Sequence, residues 1–111
     1  LEGTRVLSFC PQGLRAENER FQNLYQSGYS ILTEKMSPEK GFREWDMGFD
    51  FYAPQTFEDE KGRRILIGWA GVPDTMEVHR NLSVDHGWQH CLTIPRELRV
   101  EHGVVCQMPV R

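Results

Sequence analysis

Two strand-forming runs in this chain flank a charged turn, and that arrangement leaves little besides an antiparallel hairpin. The first run is Phe51-Tyr52-Ala53-Pro54-Gln55-Thr56-Phe57 and the second is Arg64-Ile65-Leu66-Ile67-Gly68-Trp69. Aromatic and β-branched side chains suit a pleated surface. Between the runs lies Glu58-Asp59-Glu60-Lys61-Gly62-Arg63, a solvated separator with a glycine for the turn. The unbroken Ile65-Leu66-Ile67 predicts burial on both faces.

The rest of the chain reads the same way. Arg5–Cys10 predicts a short buried strand, ended by Pro11-Gln12-Gly13. Arg15 to Gln22 is polar and lacks a helical stripe, so a loop is expected. Tyr25–Thr33 is strand-like but interrupted by Ser27-Gly28, and a glycine there predicts a bulge or a close backbone approach. Glu34–Arg43 reads as an exposed connection, and Gly71–Ser83 as a long one. Gly87–Pro95 predicts a strand ended by its proline. Leu98–Glu101 and Val104–Gln107, joined by His102-Gly103, predict a second hairpin that Pro109 ends. That makes seven strand candidates and no helix in 111 residues. The expected class is all-β and antiparallel.

Net charge is −3, with arginine and lysine dispersed, so no nucleic-acid partner is expected. No apolar stretch approaches the roughly 18 residues of a membrane span, so no membrane partner is expected either. Cys10, Cys91 and Cys106 are odd in number and lack CxxC spacing. They predict free, buried thiols in a reducing cytoplasm. His86, His90 and Cys91 suggest metal ligation at first sight. On a strand, however, positions four apart lie about 13 Å apart, so no metal or other cofactor is expected. Asn81-Leu82-Ser83 matches a glycosylation sequon, which carries no meaning in a reducing cytoplasm.

The chemistry concentrates just before the first hairpin. Glu44-Trp45-Asp46-Met47-Gly48-Phe49-Asp50-Phe51-Tyr52 mixes carboxylates with flat rings. Carboxylates accept hydrogen bonds from hydroxyls, and rings cover the C–H faces of a sugar. The plain alternative is a mixed loop entering an ordinary strand.

The run Asp46-Met47-Gly48-Phe49-Asp50-Phe51-Tyr52-Ala53-Pro54-Gln55-Thr56-Phe57 resembles a signature of glycoside hydrolase family 32, the invertases and sucrose-6-phosphate hydrolases. Val6–Gly13, Gln22–Tyr29, Arg63–Trp69, Gly87–Leu98 and Gln107–Val110 resemble further family segments, in the family's order. The resemblance covers essentially the whole chain. It implies a partial five-bladed β-propeller, with residues 1–111 supplying roughly the last two to three blades of four-stranded antiparallel sheets. It also implies retaining hydrolysis of a β-fructofuranoside bond by two carboxyl groups. None of the family's three acidic motifs (N-D-P, R-D-P and E-C) occurs in this sequence. By motif order, the last of these would end a few residues before Leu1, so the chain reads as a later part of the propeller and is expected to be inactive alone.

What the resemblance assigns here is substrate binding. Asp50 would hydrogen-bond sugar hydroxyls from the cleft rim. Tyr52 would face the same side as Asp50. Trp69 would stack on a sugar. Asp46 would be either a ligand or a turn carboxylate. Trp45 and Trp88 read as packing residues. The implied partners are sucrose, sucrose 6-phosphate or a related fructoside. Self-association through exposed blade edges is also expected. A second reading stands beside the enzyme fragment, that of an autonomous carbohydrate-binding module.

Overall fold

A computed structural model describes residues 1–39, 41–48, 51–71 and 82–111. Among these residues the chain forms two antiparallel sheets. The first holds β1 (Arg5–Phe9), β2 (Gly28–Leu32) and β3 (Arg43–Glu44), in that order. The second runs β4 (Phe51–Glu58), β5 (Arg64–Ala70), β7 (Arg96–Glu101), β8 (Val104–Pro109), with β6 (Cys91–Leu92) also paired to β5. The expected all-β, antiparallel class is what forms, and one sheet contains a four-strand path.

Both predicted hairpins are present. In the first, Glu58 pairs with Arg64. Asp59 organises the turn between them, its Oδ1 accepting the Lys61 and Arg63 amides at 3.0 and 2.8 Å. In the second, Glu101 pairs with Val104. Both turn residues there have positive φ, His102 at 50° and Gly103 at 70°. That is the tight turn whose twist matches its strands.

The burial of β5 follows its composition. Ile65 and Leu66 are consecutive in sequence, face opposite ways, and are both buried. One apolar cluster joins the two sheets: Tyr29 and Ile31 from the first, Phe51, Leu66, Leu98 and Val105 from the second, and Trp45 between them. Trp45 lies on Tyr29, with ring centroids 4.5 Å apart, and its Nε1–H donates to Ser8 Oγ at 2.9 Å. The packing role expected of Trp45 is therefore observed.

Two glycines make this packing possible. A Cβ on Gly28 would collide with the Arg43 carbonyl and the Phe42 ring. This is the close approach expected from a glycine in that strand pattern. A Cβ on Gly68 would collide with the Phe51 ring, which is only 2% exposed.

Five expectations need correction. The first strand is not buried: only Val6 and Phe9 are half-covered, and the residues between and before them are exposed. It is an edge strand, paired only with β2 among the described residues.

The strand expected over Gly87–Pro95 shrinks to Cys91–Leu92. His90, at φ 65°, breaks it on one side, and Pro95 lacks a donor on the other. Thr93 still continues the ladder, its amide donating to the Gly68 carbonyl at 2.8 Å and its Oγ1 accepting the Gly68 amide at 3.0 Å. The stretch before it contains a 3₁₀ turn, Leu82–His86, whose first two residues fall in the connection expected over Gly71–Ser83.

Trp88 is 55% exposed and so is not a packing residue here. The cysteines are free as expected, but Cys91 is exposed and Cys10 and Cys106 only half-buried. The sequon asparagine, Asn81, lies outside the described residues.

Candidate substrate site

Strand direction gathers the relevant residues at one end of the two sheets. The registers set the end of β1 against the start of β2 (Phe9 to Gly28), and the start of β4 against the end of β5 (Phe51 to Ala70). Ser27 Oγ–H ties the two sheets together there, donating to the Phe51 carbonyl at 2.6 Å.

Tyr52 and Trp69 are direct cross-strand partners at this end. Trp69 also pairs with Leu92 on its other side. Just beyond Tyr52, β4 advances three residues to β5's two before the next pair, Gln55 with Ile67. This β-bulge holds Ala53, at φ 46°, and Pro54, which has no amide to lose from the ladder. The bulge shifts the phase of the strand. Phe51 points into the core, while Phe57, six residues on, is 48% exposed.

The rings form a short row. Tyr25 lies 5.5 Å from Tyr52, and the His90 ring meets Trp69 edge-on at 4.8 Å and 85°. Tyr52 and Trp69 are both half-exposed, as a sugar-stacking surface requires.

Each carboxylate oxygen of Asp46 has a partner. Its Oδ1 accepts the Gly48 amide at 2.7 Å, closing a turn, and its Oδ2 pairs with Arg96 at 2.6 Å. Arg96 is a hub that sequence reading missed. It also donates to Gln107 Oε1 at 3.1 Å and sits 5.2 Å above the Phe51 ring. Gln107 in turn donates to the Trp45 carbonyl at 2.7 Å. Glu44 is likewise occupied, accepting the Phe21 amide at 3.1 Å. Asp50 lies outside the described residues.

Two local shifts mark the electrostatics. Burial pushes the Cys10 thiol up, partly offset by a hydrogen bond with the Ala53 backbone. The Arg63 side chain, hydrogen-bonded to Asp59, holds that carboxyl below its usual range, and the Arg63 amide adds to the effect.

Tyr25, the ring neighbour of Tyr52, was also missed. Its one signal was position, just before the Ser27-Gly28 interruption.

Comparison with known proteins gives the family of the chain. The sequence model of the Glycosyl hydrolases family 32 N-terminal domain matches residues 2–109. A sucrose-6-phosphate hydrolase of Staphylococcus xylosus is 50% identical over 100% of this chain, and one of Bacillus subtilis is 46% identical over 99%. The chain spans only 22% and 24% of those two proteins. A Bombyx mori GH32 beta-fructofuranosidase, solved as a mutant in complex with sucrose, superposes with a TM-score of 0.80 at 35% identity, over 99% of this chain and 24% of that one. The chain belongs to glycoside hydrolase family 32.

Proposed function

We propose that this chain is a later part of the catalytic β-propeller of a retaining β-fructofuranosidase. The substrate is sucrose or sucrose 6-phosphate, cleaved at its terminal β-D-fructofuranoside bond. Asp50, Tyr52 and Trp69 bind the sugar, and Asp46 joins them as a carboxylate that Arg96 holds in place. The observation that carries this reading is the half-exposed Tyr52–Trp69 pair, at the end of the sheets where the loops converge. The sucrose-6-phosphate hydrolases among the similar proteins favour the phosphorylated substrate.

Catalysis rests on residues other than these. Retaining hydrolysis needs a nucleophilic carboxylate and an acid/base carboxyl about 5 Å apart. Asp46, Glu44 and Asp59 are each held by structural hydrogen bonds, and the family's three acidic motifs are missing from the sequence. The chain therefore binds without cleaving. Its free cysteines fit a reducing cytoplasm. Leu92, Ile94 and Met108 are all more than half exposed, an apolar surface that favours self-association.

The test is fructose release from sucrose and sucrose 6-phosphate by this chain and by its Asp50→Asn variant. No release is expected from either. Release that disappears in Asp50→Asn would place the chemistry in this chain and overturn the assignment.

A further inference from the structure

Beside the Tyr52–Trp69 pair lies a second feature that its aromatic residues do not explain. The loop after β1 and the segment before β2 enclose a cavity of about 210 Å³. Its wall includes Gln12, Leu14, Leu24, Tyr25 and Gln26, and among the described residues no charged side chain lines it. Tyr25 belongs both to this wall and to the ring row, 5.5 Å from Tyr52. The cavity is therefore one aromatic ring away from the candidate sugar surface.

Gln26 is the unusual member. It is only 4% exposed. Its Nε2–H donates to the Asn23 carbonyl at 2.7 Å, which fixes which end of the amide is which. Its Oε1 is buried and has no hydrogen-bond partner among the described residues. A buried carbonyl oxygen without a donor is costly, and such groups in folded proteins call for an explanation. Gln26 is a residue of the cavity wall, next to the Tyr52–Trp69 pair.

We propose that Gln26 accepts a hydrogen bond from a hydroxyl of the second sugar unit, the one joined to the fructosyl group. The chemistry of the wall selects that ligand class. Gln26 Oε1 needs a donor, and a sugar hydroxyl is one. Leu14 and Leu24 offer exposed apolar surface to the C–H face of a ring. No cation lines the wall among the described residues, so it suits a hydroxylated edge of that unit, away from any phosphate the unit carries. The proposal rests on the reading above, in which Tyr52 and Trp69 hold the fructosyl unit. It adds a specificity-determining residue that distinguishes a disaccharide from free fructose.

The experiment follows two reporters in the isotopically labelled 111-residue chain, titrated separately with sucrose and with fructose. One is the Gln26 side-chain carbonyl carbon and the other is the Trp69 indole N–H. Sucrose is expected to move both saturably, and fructose to move only Trp69. Sucrose that moves Trp69 and leaves Gln26 unchanged would overturn the Gln26 subsite while leaving the Tyr52–Trp69 reading intact. Sucrose that moves neither would overturn that reading and the subsite with it.

A variant gives the second arm. Gln26→Met keeps the volume of the side chain and removes the acceptor. It is expected to weaken sucrose binding by about tenfold, the scale of one good hydrogen bond, and to leave fructose binding unchanged. Equal weakening of both sugars would mean that Gln26 acts only as a structural residue.

Discussion

Tyr52 and Trp69 stand directly opposite each other across β4 and β5, one residue before a bulge that inverts the facing of the rest of β4. The pairing and the bulge belong together. In a regular strand, positions six apart such as Phe51 and Phe57 would share a face. With the bulge, Phe51 enters the core while Phe57 stays half-exposed.

The bulge carries local strain at Ala53, whose φ of 46° is unfavourable for a residue with a Cβ. Ala53→Gly is therefore expected to stabilise the fold by about 0.5–1 kcal/mol, the relief being partly offset by the freer unfolded chain. Ala53→Val should destabilise it. Urea denaturation of the three proteins measures both effects, and a loss of stability in Ala53→Gly would contradict the strain argument.

Arg96 links segments 50 residues apart through its 2.6 Å pair with Asp46. It also holds Gln107 and covers Phe51. Arg96→Met should cost about 1–3 kcal/mol, because partly buried polar partners lose a charged donor. Arg96→Lys should recover only part of this, since an ammonium cannot reproduce the planar fork. Thermal melts of both variants provide the check.

Asp59 sets an acid dependence. Its folded carboxyl is held below the ordinary range, chiefly by the hydrogen bond from the Arg63 side chain. A depressed carboxyl pKa stabilises the fold fully above the unfolded value of about 4. That contribution is lost as pH falls below this value, through the folded pKa. Asp59→Asn keeps an acceptor for the turn amides but loses the ion pair. The stability gap between wild type and Asp59→Asn is thus expected to narrow as pH falls from about 5 to 2. A constant gap across that range would count against the ion pair as its source.

Local pattern made some of this molecule legible in sequence, and long-range partnership hid the rest. The two hairpins could be read because their apolar runs, charged or glycine turns and β-branched residues all point one way. The close approach at Gly28 could be read because glycine inside a strand pattern has few other uses. β6 was overestimated because nothing in Gly87–Pro95 signals the left-handed backbone of His90. The exposure of Cys91 and Trp88 follows from that same segment, which offers the sheet only a two-residue rung. In the site, Tyr52 and Trp69 stood out as aromatics at strand ends. Gln26 and Arg96 did not, since a polar side chain's role is set by partners that sequence spacing does not reveal. Asp46 read equally well as a ligand or a turn carboxylate, and the structure gives it both a turn amide and an arginine.

The most direct test of the central claim is the response of two tryptophans to sucrose. Trp69 lies in the candidate site, whereas the Trp45 indole N–H is tied to Ser8 in the core and serves as an internal control. Following both indole N–H resonances through a sucrose titration, the account predicts a saturable shift of Trp69 and none of Trp45. A Trp69 resonance that does not move, or one that moves in step with Trp45, would contradict it.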